Sequence, residues 1–200
     1  MVGRIAAGGV LAGLVVFIWG ALSHMLLGLG EIGISKLPNE EAVIGTLAAN
    51  VHASGFYFLP WIEESEMNDQ AKVSEWENKL KNGPSGIMVC RPNGGEGMTP
   101  GQLFREYAGG TMWCLIAACL LSVAAPRLPH FGMRVLFVAS MGLIAGLDIY
   151  VSYWNWYGFP SNYTAAAMLD EVIGFALAGG VIAAIIRPPA AATEASASSH

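Results

Sequence analysis

The chain has 200 residues, 54% of them hydrophobic and only 12% charged, with a mean hydropathy of +0.50 and a formal charge of −5. Soluble domains carry about 25% charged residues, so an ordinary water-soluble core is excluded and a lipid bilayer is the expected surrounding. The absence of a basic tract excludes nucleic acid as a partner.

Residues 5–29 form the first apolar run, interrupted only by Trp19, Ser23 and His24. It is long enough to cross a hydrocarbon core about 30 Å thick with some tilt. Arg4 precedes it, and Ala21-Leu22-Ser23 could serve as a signal cleavage motif. The apolar part of a signal peptide runs only about 7–15 residues, so an uncleaved anchor is expected.

Residues 30–107 follow as a polar region too long for a bare loop. Asn39 before Glu40-Glu41 suits a helix start, and Ala42, Ile44, Leu47 and Val51 give that helix a partial apolar face. Residues 55–60 and 86–90 read as short strands able to pair as a hairpin, and residues 69–81 as a polar helix striped by Val73, Trp76 and Leu80. Thr99-Pro100 is a good cap and first-turn pair, so the second span should begin outside the bilayer. The region is expected to be a small α+β cap packed on the helices, since so few elements bury little alone.

Three more apolar runs complete the chain: residues 108–125, stopped by Pro126; residues 131–151; and residues 165–186, stopped by Pro188-Pro189. Residues 188–200, rich in Ala and Ser, read as a disordered tail. The fold class expected is an all-α polytopic membrane protein, a four-transmembrane-helix bundle with the cap between helices 1 and 2.

Arg4, Arg127, Arg134 and Arg187 flank the N-terminus, the 2–3 loop and the C-terminus, which share one side if there are four spans. The positive-inside rule then puts both termini in the cytoplasm, in a bacterial inner membrane, and exports residues 30–107. That region holds eleven carboxylates against six cations. Trp154, Trp156, Tyr157 and Phe159 would form an aromatic belt at the outer interface.

Ionisable residues within the spans gather toward the outer end. Gly9, Gly13, Gly20 and His24 share one face of the first span at helical spacing, and Ala167, Glu171, Gly174 and Ala178 share one face of the last. These stripes aim His24 and Glu171 at the packed interior, with Asp148 of the third span at a similar depth and Glu31 just above. Asp170, about 100° round from Glu171, is expected to snorkel to the interface. On the third span Gly142 and Gly146 make a packing face with Asp148 roughly opposite.

His24, Glu31, Asp148 and Glu171 are therefore the candidate polar pocket. One imidazole with carboxylates suits several divalent cations, but an ion-paired structural cluster explains the same residues. No cofactor is expected: a bis-His haem would need a second intramembrane histidine. Cys90, Cys114 and Cys119 have no zinc-binding spacing and read as structural thiols. The cytoplasmic half of the spans offers only Ser122, Ser140, Cys114 and Cys119 to a transport route.

The sequence carries no hydrolase, metalloprotease or nucleotide-binding motif. The expected role is a non-catalytic accessory, assembly or structural membrane protein, with a second copy or a membrane-complex subunit as partner. A periplasm-facing ligand- or cation-binding sensor or enzyme, and a homo-oligomeric transporter, are the alternatives.

Overall fold

A computed structural model describes residues 1–188. The tail reading therefore lies, from residue 189 on, outside the described residues. The chain is mostly helical, with four helices long and apolar enough to cross a membrane and one two-stranded sheet. Its contacts divide it into two compact units: residues 1–33, 98–152 and 160 onward, and residues 34–97 with 153–159.

The first unit is built on α1 (Val2–Met25), α4 (Pro100–Ala124), α5 (Phe131–Tyr157) and α6 (Ser161–Ile185). Each boundary has a local cause. α1 ends before Gly28, whose φ of +66° starts a short 3-10 turn at Leu29–Glu31, so the helix is shorter than the apolar run. α4 starts where Thr99-Pro100 predicts. Thr99 Oγ1 accepts from Gln102 N–H at 3.2 Å, and Gln102 Oε1 accepts from Thr99 N–H at 2.7 Å, a closed capping box. α5 runs six residues past the apolar stretch and stops at Gly158, φ +72°. Tyr153, Trp154, Trp156 and Tyr157 thus lie on its last turns and not in a loop, and α6 begins only three residues later.

α1 packs mainly on α4 and α6, and α6 also meets α5. Small residues set these approaches. A Cβ added at Gly9 would stand 2.8 Å from Leu115 Cα, and one at Gly13 would stand 2.7 Å from Thr111 Cα. Here α1 touches α4 backbone to backbone. A Cβ at Gly142 of α5 would lie 2.7 Å from Phe175 Cβ, and one at Gly179 of α6 would lie 3.1 Å from the Val135 carbonyl oxygen. Trp113 of α4 stacks on Phe175 with ring centroids 4.0 Å apart. Around these contacts Ala12, Cys114, Ala117, Ala118, Leu121, Val138, Ala178, Ile182 and Ala183 form one buried core. Val10, Leu11, Leu14, Ile18 and Leu22 of α1 face outward, as lipid-facing positions would.

The glycine stripe predicted on α1 divides. Gly9 and Gly13 meet α4, Gly8 lies 3.9 Å from Ile182 Cα measured from an added Cβ, and Gly20 has nothing within 4 Å. Gly20 lies between Gly9 and Gly13 in azimuth, about 20° from each, so its open surroundings show that α1 and α4 have separated at that level and not that the face has turned away.

Arg134, read from the sequence as a cation flanking the 2–3 loop, also has a packing role. It is buried, with Nη1 donating to the carbonyls of Leu128 (3.1 Å) and Pro129 (3.0 Å) and Nη2 donating to Ala183 O (3.4 Å). The guanidinium satisfies the α4–α5 connection and one of the last carbonyls of α6, the end of a helix that favours a cation.

The second unit contains α2 (Glu40–Asn50), β1 (Gly55–Leu59), α3 (Gln70–Asn82) and β2 (Gly86–Cys90). Both predicted strands form and pair antiparallel, with Phe56 opposite Val89 and Phe58 opposite Ile87. Asn39 precedes α2 but makes no side-chain cap bond, whereas Asp69 caps α3 by accepting from Ala71 N–H at 2.9 Å. Trp76 of the predicted apolar stripe donates from Nε1 to Pro60 O at 3.2 Å, tying α3 to the end of β1. Lys72 hydrogen-bonds Glu66 and so holds that carboxyl below its ordinary range, while Glu66 holds the ammonium above its own. What this exposed pair adds is present above the ordinary Glu range and lost as pH falls through the lowered value, and lost again as pH rises through the raised Lys72 value.

Gly13→Ala should destabilise the purified protein by about 1–3 kcal/mol, because the methyl meets backbone and cannot be accommodated by a rotamer change. Gly20→Ala, on the same helix but in open space, should leave the unfolding midpoint unchanged or slightly raised. Thermal unfolding of both variants in one detergent checks this, and equal midpoints would contradict the α1–α4 contact.

Candidate functional site

α1 and α6 run antiparallel along one seam. Gly8 lies by Ile182 and Ile185, Trp19 by Gly174, and His24 by Asp170. His24 Nε2 stands 3.7 Å from Asp170 Oδ2, an ion-pair distance when the imidazole is protonated but too long for a hydrogen bond. The pair is graded in exposure, with the His24 side chain 52% accessible and that of Asp170 22%.

Asp170, and not Glu171, is therefore the carboxylate facing His24. The reason lies in which ridge of α6 is buried. Ala166, Gly174, Ala178 and Ile182 are all buried, and Asp170 belongs to that i, i+4 series. Gly174 and Ala178 are also common to the series through Ala167 and Glu171, so spacing alone could not choose between them. Glu171 is half-buried on the flank of α6 shared with Met168 and Phe175, the residues that meet Gly146 and Gly142 of α5.

The chain after α1 folds back over this end of the seam. Gly30 lies flat on the imidazole: a Cβ there would be 2.8 Å from His24 Nδ1. Gly33 abuts the first turns of α6, where an added Cβ would be 2.6 Å from Tyr163 Cβ. These two contacts hold the Leu29–Glu31 turn against both helices and fix the ring of His24 from one side. Glu31, in that turn, is exposed and points to no partner among the described residues. Asp148 is exposed on α5, on the side away from the Gly142–Gly146 contact, as its spacing predicts.

Among the described residues no three His, Cys, Asp or Glu side chains come together in a way that could hold a metal ion. The four predicted residues are thus not gathered into one ligand set. What is gathered is Trp19, His24 and Asp170. Trp19 Nε1 and Asp170 Oδ1 are both buried with no hydrogen-bond partner among the described residues. The indole lies against Gly174, one turn along α6 from Asp170. One spare donor and one spare acceptor, beside an imidazole, suit a small hydrogen-bonding group or a water bridge. Trp19 was legible only as a break in an apolar run; its spacing of five from His24 gave no sign of a shared face.

Compared with protein-family models, curated proteins and solved structures, the chain matches none of them. Any functional reading therefore stands on this geometry.

In a background lacking Cys90, Cys114 and Cys119, cysteines at positions 24 and 170 should cross-link readily with a short thiol reagent. The pair at 24 and 171 should react more slowly. Gel analysis of the products decides it, and equal or faster reaction at 171 would contradict the Asp170 pairing.

Proposed function

We propose that this chain is a multi-pass membrane protein of non-catalytic role, an accessory or assembly factor whose helices anchor a displayed unit formed by residues 34–97. We place it in a bacterial inner membrane with both termini cytoplasmic and the displayed unit outside. The observation that carries this reading is the division of the chain: four apolar helices close on one another through glycine contacts, while the inserted segment forms a compact unit of its own. Arg127 and Arg187 at one end of the helices support the orientation.

The interior of the helical unit argues against transport. Ser122 Oγ donates to Cys119 O at 2.7 Å and Ser140 Oγ donates to Phe137 O at 2.8 Å, so each hydroxyl turns back on its own helix. Arg134 is likewise committed to three carbonyls. A relay needs groups free to exchange partners at successive depths. The His24–Asp170 pair with its spare acceptor favours, as a second reading, a ligand- or cation-binding sensor open to the outside.

Purified protein in liposomes is expected to pass neither protons nor cations under an imposed gradient, and Glu171→Gln should alter neither baseline. In intact cells, cross-linking should give a defined complex with a second membrane or exported protein, lost when residues 34–97 are replaced by a short Gly/Ser linker. Reproducible flux abolished by Glu171→Gln would overturn the reading in favour of transport. Cys90, in the displayed unit and half-buried, should label from outside intact cells; labelling only after lysis would reverse the topology.

A further inference from the structure

The two-stranded sheet has no polar face. An antiparallel sheet with one face in water alternates apolar-in and polar-out along each strand. Here neither strand contains a charged residue, and the more exposed face is the one bearing Phe56, Phe58 and Val89. Phe56 is 57% and Val89 74% accessible, while Tyr57, Met88 and Cys90 on the other face are each partly covered. Trp61, 65% accessible, extends the exposed face, its ring centroid 6.5 Å from that of Phe58. Phe56, Tyr57, Phe58 and Trp61 line an open hollow of about 620 Å³. An isolated hairpin is marginal in water, and one with an apolar outer face is more so.

Within the same unit this face continues into the last turns of α5. Phe58 packs edge-on against Tyr157 at 5.5 Å, Tyr157 against Tyr153 at 5.6 Å, and Tyr153 against Phe159 at 5.2 Å. Trp156 projects beside them, 74% accessible. Tyr153 and Tyr157 follow Arg134 along α5 by about 30 Å of helix rise, one hydrocarbon thickness. With Arg134 at one boundary of the bilayer, these rings fall at the other, the level where Tyr and Trp accumulate.

We propose that the Phe56–Phe58–Trp61–Val89 face is a membrane-interface surface, seated in the headgroup region of the leaflet that the C-terminal end of α5 reaches. The occupant is zwitterionic phospholipid. The sheet face offers aromatic and aliphatic groups and no charged side chain; the lysines that border a hollow with Trp61, Lys72 and Lys79, are each paired with a glutamate, and Glu63 and Glu64 beside Trp61 disfavour anionic headgroups. The seated face is closed to protein partners, and the charged side chains of α3 are left to them, of which Lys72, Glu75 and Lys79 border a hollow that Trp61 also lines.

This inference rests on the multi-pass reading, and one experiment separates the two. Nitroxide labels are placed singly by Val89→Cys, Phe56→Cys, Lys79→Cys and Ile144→Cys in a background lacking the native cysteines, in phosphatidylcholine vesicles. Power saturation compares collisions with oxygen, which partitions into lipid, and with a nickel chelate, which stays in water. Position 144, exposed on α5, should report lipid; if it reports water, the membrane reading fails. With 144 in lipid, positions 89 and 56 should favour oxygen over the chelate several-fold more than position 79. Equal water access at 89 and 79 overturns the proposal. So does protection from both reagents, with spin–spin broadening marking a second copy and its absence marking another protein. Should the cysteine-free background fail to fold, quenching by brominated phosphatidylcholine is compared between the unmodified protein and Trp61→Phe. A Trp61 share that resists bromolipid but yields to aqueous acrylamide would equally overturn it.

Discussion

Backbone contact between α1 and α4 at Gly9 and Gly13 is the constraint on which the helical unit depends. In an apolar surrounding there is no hydrophobic drive to bring one Leu-covered helix against another, so association rests on how closely backbones can approach. At both positions the missing Cβ is replaced by the α4 backbone itself. That fixes the azimuth of α1, and with it the faces that Gly8, Trp19 and His24 turn to α6. A helix rotated by one residue would carry His24 away from Asp170, since each residue turns about 100°.

The ends of α6 are treated in opposite ways. Near its start, Asp170 meets the His24 imidazole at 3.7 Å, and one carboxylate oxygen has no partner among the described residues. Near its end, Ala183 O accepts from Arg134, a group that stays charged and is bonded to two further carbonyls. The first arrangement leaves a carboxylate oxygen open to another donor; the second joins the α4–α5 connection to the end of α6. Removing Arg134 would leave the buried Ala183 carbonyl short of a donor, a larger loss than any exposed pair could produce.

Much of the fold was legible because its signals are local. Thr99-Pro100 specifies its capping box within four residues, Asp69 its cap within three, and the two strands their pairing by composition and length. The candidate site was legible only in part, because it depends on helix azimuth. His24 was found from its place in an apolar run. Its partner was assigned to Glu171 because Gly174 and Ala178 lie on both buried series, and only the packing of α6 against α1 selects the one through Asp170. Gly20 fails for a related reason: spacing tells which residues share a face, and a neighbouring helix decides how far along that face the contact runs. The end of α5 was misjudged differently. Tyr153 to Tyr157 are aromatic enough to end an apolar run but not to end a helix, and only Gly158, free to take positive φ, does so.

That last difference carries weight. Had α5 stopped where the apolar run stops, Trp154, Trp156 and Tyr157 would sit on a loop free to turn toward water. On a continuous helix their spacing along the axis is set by the 1.5 Å rise per residue. Rings held at a fixed spacing can act as a rigid shelf, and Phe58 rests its edge on that shelf through Tyr157. Two strands that would be marginal in water thus gain a packing partner on the last turn of a helix long and apolar enough to cross a membrane. The apolar character of the outer sheet face, a liability for a hairpin in solution, then becomes the feature that lets so small a unit persist.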